Sequence, residues 1–169
     1  MSDEIFDLVD EQDQVIGQQS RREVHRLGLR HRAVHILVLS SKGELFLQKR
    51  SLLKDKHPGV WDSSSSGHLD SGEDYDACAV RELREELACA PVHPPVRLFK
   101  LDACPETGQE FVWVYKAFAD GPFSLHPEEI SEGNWFTLER ITAWISERPQ
   151  DFAPAFVYLW PRALSFLRN

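Results

Sequence analysis

The segment Gly67–Ala90, GHLDSGEDYDACAVRELREELACA, constrains the local structure more than any other part of the chain. Its apolar residues recur every fourth position: Ala79, Leu83 and Leu87. This spacing predicts a helix over Glu73–Cys89 with one buried face. Three acidic residues lie at i, i+3 and i+4 on a neighbouring face: Glu82, Glu85 and Glu86. Like charges at i and i+4 destabilise a helix by a few tenths of a kcal/mol per pair, so this face is costly unless something compensates it.

The acidic face has two interpretations, a solvated surface or a site for a hard divalent cation. Mg²⁺ takes oxygen ligands and is commonly held by carboxylates together with waters and substrate phosphates. Zn²⁺ would call for histidine or cysteine on the same face, and neither is there. Several carboxylates on one helical turn therefore suit chemistry on a polyphosphate, in which metal ions neutralise phosphate oxygens and activate the attacking water.

The same segment resembles the signature of the Nudix hydrolases, G-x5-E-x7-R-E-U-x-E-E-x-G-U with U aliphatic. Residues 67–89 match it in register at Gly67, Glu73, Arg81, Glu82, Leu83, Glu85 and Glu86. Two positions depart from it, because the late glycine is Ala88 and the final aliphatic residue is Cys89. Glycine is the usual left-handed cap of a helix, so Ala88 predicts a helix that continues slightly or is capped in another way.

The resemblance implies a role for each matched residue. Carboxylates of the acidic face would bind metal and supply the base, and the backbone carbonyl of Gly67 would be an additional ligand. Glu73 and Arg81 would form an ion pair that braces the loop against the helix. The catalytic residues implied in this way are Glu73, Arg81, Glu82 and Glu85. The cofactor implied is Mg²⁺ or Mn²⁺.

Beyond the signature, the chain is similar to the isopentenyl diphosphate isomerase branch of the same superfamily. The likeness runs loosely from Asp7 to Leu167 and is carried by GELFLQKRS, HPGVWDSSSSGH and DFAPAFVYLW. It places Glu110 where a strand provides a distant acidic ligand or catalytic residue. The isomerase also needs a cysteine shortly after Trp61, and this chain has Ser66 there. Because a hydroxyl has a pKa far above that of a thiol, the substitution disfavours isomerase activity.

Three residues are candidates for substrate contacts: Arg50, Ser66 and His68. Each also has a structural interpretation: Arg50 as a solvated cation, Ser66 as a backbone-turn residue, and His68 as an imidazole satisfied by a backbone group. The expected activity is Mg²⁺-dependent hydrolysis of a diphosphate linkage in a nucleoside di- or triphosphate or a related conjugate. A ligand-sensing Nudix domain is a further hypothesis, which the presence of all four signature glutamates disfavours.

The rest of the chain predicts a mixture of strands and helices, which favours a layered α/β arrangement. The clearest elements are strands at Ile5–Val9, Val15–Gln18, Ala33–Leu39 and Leu45–Lys49, and a terminal helix over Phe152–Leu167 interrupted at Pro161. Together with the resemblance, these elements predict one Nudix-fold domain over residues 1–169, with a mixed β-sheet sandwiched between α-helices.

Composition limits the partners. A net charge of −8 argues against nucleic acid or a membrane surface as the partner. No apolar run approaches the ~20 residues of a membrane span, and no signal peptide is visible. Three cysteines without metal-site spacing favour a reducing compartment. We therefore expect a cytoplasmic enzyme acting on a small-molecule diphosphate; the sequence gives no indication of its oligomeric state.

Overall fold

A computed structural model describes residues 3–168. The strands are β1 (Ile5–Val9), β2 (Val15–Ser20), β3 (His31–Leu39), β4 (Leu45–Arg50), β5 (Trp61–Asp62), β6 (Ser65–His68), β7 (Val96–Leu101), β8 (Glu110–Phe118) and β9 (Ile130–Phe136). The helices are α1 (Arg21–Leu27), α2 (Tyr75–Leu87), α3 (Leu138–Glu147) and α4 (Pro154–Leu167). None of these helices combines the length and apolar character needed to cross a bilayer.

Seven of the strands form one mixed sheet. Its main path is β5-β4-β3-β8-β7, with β6 pairing β3 and β9 pairing β4, while β1 and β2 form a separate hairpin. Strands β3 and β8 are parallel, and their first residues, His31 and Glu110, are partners in register. Strand β6 runs antiparallel to β3, so that Gly67 lies opposite Val34. The starts of β3 and β8 and the end of β6 therefore meet at one end of the sheet.

The sheet separates two layers of helices, as predicted. Alternate residues of β3 contribute to opposite cores, since side chains alternate along a strand. One set packs in the core that includes α2: Val34, Ile36 and Val38. The other set packs in the core that includes α3 and α4: Ala33, Leu37 and Leu39. Burial on both faces explains why β3 reads as a nearly continuous apolar run.

Helix α2 is shorter than predicted and ends differently. The side chain of Asp74 caps its first turn by accepting a hydrogen bond of 2.7 Å from the Ala77 N–H. At the other end Ala88 adopts a left-handed conformation with φ of 52°, and its N–H donates to the Arg84 carbonyl. Of the two alternatives that Ala88 left open, a continued helix and a different cap, the first is wrong, because the helix ends at Leu87 and Ala88 caps it. Alanine takes the conformation usual for glycine, at a cost of about 1–2 kcal/mol.

Two further elements differ from expectation. Helix α4 begins at Pro154 and continues through Pro161, which the sequence predicted as an interruption. The stretch NWFTLERITAWISE predicts a strand that turns into a helix near Thr137. Thr137 does cap α3, but strand β9 begins before this stretch, at Ile130, and pairs along β4. Helix α1 follows β2 directly, with Ser20 as its N-cap, and Gly28 at φ of 64° ends it.

Candidate active site

The three glutamates of the acidic face do not share one environment. Glu82 and Glu86 are buried on the side of α2 that faces the sheet. Glu85 is exposed, with 56% of its side-chain surface accessible, and it pairs with Arg81 at 3.1 Å. The helix therefore presents two inward carboxylates and one carboxylate at the rim.

The Glu86 carboxylate is held in place by hydrogen bonds to a single oxygen. Its Oε1 accepts from Ser65 Oγ at 2.7 Å, from the Ser66 N–H at 3.0 Å and from Gln48 Nε2 at 3.1 Å. Within residues 3–168, Oε2 accepts no hydrogen bond. One oxygen is thus anchored to the sheet, and the other is available to a ligand.

Gly67 lies directly against the Glu82 carboxylate. A Cβ atom built on Gly67 would lie 2.2 Å from both Cδ and Oε1 of Glu82, so any side chain at this position would displace the carboxylate. The glycine is needed here for close approach, since its conformation is not left-handed. The contact brings the Gly67 backbone and the Glu82 carboxylate together, as a shared cation would require.

Arg81 connects the loop before α2 to the acidic face. Its guanidinium makes a two-pronged pair with Glu73, with both N–O distances at 2.8 Å. It also donates to Glu82 Oε1 at 2.9 Å and to the His68 carbonyl at 3.0 Å. Planar, two-pronged pairing of this kind fixes orientation as well as charge. The ion pair expected from the resemblance is present.

The two inward carboxylates resist ionisation together. Burial raises the pKa of Glu82, and the neighbouring Glu86 raises it further, while Arg81 opposes the shift. Burial also raises the pKa of Glu86, against hydrogen bonds from Ser65 and Ser66 that favour the charged form. A cation between them would remove both the repulsion and part of the cost of burial, so this pair fits a metal ion.

A second group of possible ligands lies at the starts of β3 and β8. One nitrogen or oxygen from each of four residues lies within 4.8 Å of the others: His25, His31, His68 and Glu110. Glu110 Oε2 is 2.6 Å from His68 Nε2 and 3.3 Å from His31 Nε2. Burial alone would raise the pKa of Glu110, but the neighbouring His68 and His31 outweigh it and lower this pKa.

His31 carries the clearest sign that this second group fits a cation. Its Nδ1 lies 2.8 Å from the Leu29 carbonyl, to which this nitrogen donates its proton. Its Nε2 lies 3.3 Å from Glu110 Oε2, is buried and has no hydrogen-bond partner in the described chain. A proton or a metal ion between this nitrogen and the carboxylate would satisfy both groups.

Sequence reasoning missed His25, which α1 delivers to this group. Burial lowers the pKa of His25 to about 4, with further lowering by His68 and His31, so the ring is neutral and can act as a ligand near pH 7. Phe6 of β1 stacks on His31 with ring centroids 5.6 Å apart and covers the cluster. No local spacing could have indicated this group, because its members come from α1, β3, β6 and β8.

The predicted substrate contacts are placed in three different settings. Ser66 lies in β6, where its N–H bonds to Glu86, so it is not the turn residue considered above. His68 bonds to Glu110 through its imidazole. Arg50 donates to the carbonyls of Lys56 and His57 and pairs with Asp62 at 3.3 Å, so its guanidinium fixes the loop after β4. Contact of these three residues with substrate phosphate stays a prediction.

Comparison with known proteins gives a consistent picture. The sequence model of the NUDIX domain matches residues 29–156. An uncharacterized Nudix hydrolase of Yersinia pestis is 40% identical over 161 residues, covering 93% of this chain and 85% of the relative. An isopentenyl-diphosphate Delta-isomerase of Serratia proteamaculans is 34% identical over 158 residues, covering 92% and 88%. The crystal structure of DR0079 from Deinococcus radiodurans superimposes with a TM-score of 0.84 at 31% identity, covering 94% of this chain and 98% of that one.

Proposed function

This chain belongs to the Nudix hydrolase family, and from that premise we propose that it hydrolyses a diphosphate linkage in a nucleoside di- or triphosphate or a related nucleotide conjugate, with Mg²⁺ as cofactor. Nudix hydrolases generally use divalent metal ions; the choice of Mg²⁺ is ours. It follows from the oxygen ligands of α2, because hard carboxylate sites suit Mg²⁺ or Mn²⁺.

The observation that carries the proposal is the buried pair Glu82 and Glu86 beside the bare backbone of Gly67. Both carboxylates have raised pKa values, and hydrogen bonds hold Glu86 against the sheet. Ionisation of the two buried groups therefore costs free energy unless a metal ion binds between them. A metal ion bound there would supply positive charge for the phosphate oxygens and would acidify water.

The residues of the signature would then have separate roles. Glu82, Glu86 and the Gly67 carbonyl would hold the metal, and Glu85 at the rim would accept a proton or complete the ligand set. Arg81 and Glu73 would keep the loop at Gly67 fixed against the helix, since their two-pronged pair ties the two segments together. Hydrolysis requires this rigidity, because a small misplacement of reacting groups is costly in rate.

We also propose a second metal position at His25, His31, His68 and Glu110. Three imidazoles and one carboxylate suit Zn²⁺, Mn²⁺ or Co²⁺ better than Mg²⁺. Co²⁺ is a convenient probe, because its visible absorption reports nitrogen coordination. Titration of the wild-type protein with Co²⁺ should produce these bands, and His31→Ala should weaken them strongly, while His93→Ala should leave them unchanged. Equal spectra for the two variants would exclude the position.

Isomerisation of an isopentenyl-type diphosphate is the second candidate function, and the 34% identical isomerase relative favours it. Such chemistry needs a thiol, and the position where the isomerase has its cysteine holds Ser66 in this chain. The three cysteines are Cys78, Cys89 and Cys104, of which the first two are buried. Burial raises the pKa of Cys78 well above its usual range, so this thiol is a poor proton donor and nucleophile near pH 7.

A release assay tests the proposal directly. The purified protein is incubated with a panel of nucleoside di- and triphosphates, nucleotide conjugates and isopentenyl diphosphate, with Mg²⁺, Mn²⁺ or chelator. Phosphate and pyrophosphate are measured for the nucleotides, the two phosphomonoester products for the conjugates, and the isomer ratio for isopentenyl diphosphate. We expect release from base-bearing substrates that stops with chelator and returns with Mg²⁺ or Mn²⁺. Full turnover in chelator would overturn the metal dependence, and isomerisation without release would favour the second candidate. The free thiols accord with the cytoplasmic location that we propose.

A further inference from the structure

Gln48 is a buried glutamine on the face of the sheet that carries the carboxylates of α2. It lies in β4, two residues after Phe46, which belongs to the core that includes α2, so both side chains point to that face. Only 2% of the surface of Gln48 is exposed. A buried amide is costly unless its N–H groups find acceptors, so the partners of Gln48 indicate its role.

Both hydrogens of the Gln48 amide have an acceptor. Its Nε2 donates to the Ser64 carbonyl at 3.2 Å and to Glu86 Oε1 at 3.1 Å. The bond to Ser64 fixes the plane of the amide and so directs the second hydrogen towards Glu86. The backbone of Gln48 is paired on both sides, with Asp62 of β5 and with Gly133 of β9. The donor is therefore carried by an interior strand and has little freedom to move.

All three donors to Glu86 are neutral. Besides Gln48, they are the Ser65 hydroxyl at 2.7 Å and the Ser66 N–H at 3.0 Å, and all of them bond to Oε1. Within residues 3–168, no lysine or arginine donates a hydrogen bond to this carboxylate. The protein therefore fixes the orientation of Glu86 without neutralising its charge.

Lys54 is close enough to influence Glu86 but is bonded elsewhere. Burial raises the pKa of Glu86, and among the nearby charges Glu129 raises it further while Lys54 lowers it. The ammonium group of Lys54 pairs with the Glu129 carboxylate. Because Lys54 has this acceptor of its own, it leaves the oxygens of Glu86 to other ligands.

Other side chains at position 48 would not combine these properties. A lysine can donate to both acceptors, but its charge would neutralise Glu86 and repel a metal ion bound there. A methionine has a similar length and no N–H, so Glu86 and the Ser64 carbonyl would each lose a donor. Glutamine supplies a hydrogen bond of fixed direction without a positive charge.

We propose that Gln48 is a positioning residue that holds Oε1 of Glu86 against the sheet, so that Oε2 faces the metal ion, and that this role requires a neutral donor. The inference rests on the proposed function and adds to the signature a residue that lies 38 positions from Glu86 in the sequence. Hydrogen bonds to a metal ligand orient it, and loss of one typically lowers metal affinity by about 10–100-fold.

The test measures Mg²⁺ binding without substrate. Metal-free wild type, Gln48→Met and Gln48→Lys are titrated with Mg²⁺ by calorimetry, and the histidine cluster contributes little because its imidazoles suit Mg²⁺ poorly. Thermal unfolding of the same metal-free samples measures stability. Gln18→Met and Gln18→Lys are the matched controls, because Gln18 is an exposed glutamine on β2, and they should leave both quantities unchanged.

We expect metal affinity and stability to rank the two variants in opposite order. Affinity for Mg²⁺ should fall about tenfold in Gln48→Met and about 100-fold in Gln48→Lys, since the lysine also competes with the metal. The melting temperature should fall less in Gln48→Lys than in Gln48→Met, because a lysine still donates to Ser64 and Glu86. If Gln48 only held strands together, the lysine variant would bind Mg²⁺ at least as well as the methionine variant, and that result would overturn the proposal.

Ser65→Ala tests the same oxygen if Gln48→Lys does not fold. This variant removes one neutral donor from Glu86 Oε1 and leaves both hydrogen bonds of Gln48 in place. Affinity for Mg²⁺ should fall about tenfold in Ser65→Ala and in Gln48→Met. Wild-type affinity in both variants would show that the donors to Oε1 do not position the metal ligand.

Failure of the proposed function gives a different result. If the wild type binds Mg²⁺ but hydrolyses no diphosphate, the expected loss of affinity in Gln48→Lys would support the positioning role without the hydrolase. Hydrolysis by the wild type together with full Mg²⁺ affinity in Gln48→Lys would overturn the positioning role and leave the hydrolase in place.

Discussion

Asp13 and the Glu82–Glu86 pair are all buried carboxylates, yet their surroundings have opposite electrostatic character. Asp13 accepts hydrogen bonds from Arg32 Nε at 2.7 Å, Tyr75 OH at 2.7 Å and Lys100 Nζ at 2.6 Å. Burial alone would raise the pKa of Asp13, but bonds from Lys100 and Arg32 outweigh it and lower this pKa. For the glutamate pair, burial raises both pKa values, and the charge of Glu86 adds to the rise for Glu82.

The difference separates a structural carboxylate from a functional one. Asp13 sits in the turn between β1 and β2, and its partners lie on β3, α2 and β7, so its charge ties four segments together. The positive groups near Glu82 and Glu86 do not offset the free-energy cost of burying these two negative charges. A buried charge that lacks compensation within the protein destabilises the fold, and such sites are concentrated where a ligand supplies the missing charge.

The largest expected effect is on catalysis by Glu86→Gln. We expect kcat to fall by about 100-fold or more, because the variant loses a charged metal ligand while the chain keeps its shape. Thermal stability without metal should stay the same or rise, since the like-charge repulsion at i and i+4 is relieved. Phosphate release and thermal unfolding measure the two quantities.

Glu139→Gln serves as the control for this variant, because Glu139 is exposed on α3. It should change neither quantity. If Glu86→Gln unfolds at a much lower temperature than the wild type, the acidic pair is structural, and the contrast with Asp13 disappears.

The second prediction concerns Asp13→Asn, for which the opposite outcome is expected. Removal of the charge leaves Arg32 and Lys100 without their shared partner, and the free energy of unfolding should fall by about 3 kcal/mol. The kcat of the folded fraction should match the wild type. Urea unfolding, compared with Asp102→Asn at an exposed aspartate, measures the loss. Loss of activity with full stability would place Asp13 in the functional class.

A smaller effect is expected for Glu110→Gln, which tests the histidine cluster. The amide is a weaker metal ligand, so affinity for Co²⁺ or Zn²⁺ should fall about tenfold. Equilibrium dialysis against metal, with Glu132→Gln at an exposed residue of β9 as the control, measures the change. Identical metal affinity in the two variants would remove Glu110 from the ligand set and leave its pairing with His68 as a structural contact.

Much of the fold followed from the sequence because its signals are local. The four-residue apolar spacing of α2 and the continuous apolar run of β3 each reflect neighbours along the chain. The end of α2 was mispredicted because Ala88 adopts a conformation that its side chain disfavours. Its cap is stabilised by N–H bonds to Arg84 and Leu83, including one from Cys89, which propensity alone does not reveal.

The candidate site also has a part that local sequence signals predict and a part that they do not. Glu82, Glu85, Glu86 and the Glu73–Arg81 pair lie within one loop and helix, so their spacing was readable. Which two of the three glutamates are buried depends on how α2 packs on the sheet, and the sequence does not indicate this. The histidine cluster needs the parallel register of β3 and β8, which pairs His31 with Glu110 and is a long-range property.

The last and smallest predicted effect is the pH dependence of stability without metal. Glu82 and Glu86 have raised pKa values in the folded protein, so the folded state binds more protons than the unfolded state above the ordinary carboxyl pKa of about 4.3. Their contribution to stability is therefore greatest at low pH and declines as pH rises from about 5 to 8. His25 acts in the opposite direction, because its pKa is lowered to about 4 and stability from its neutral ring grows as pH rises towards 6.5.

The difference in melting temperature between wild type and Glu86→Gln isolates the carboxylates, since His25 is common to both. We expect the wild type to lose a few degrees relative to the variant across this range, as 1 kcal/mol corresponds to about 2–4 °C in a chain of this size. Saturating Mg²⁺ should abolish the wild type's decline, because the metal replaces the bound protons. A wild type and variant that stay parallel from pH 5 to 8 would show that the pair is compensated within the protein, as Asp13 is.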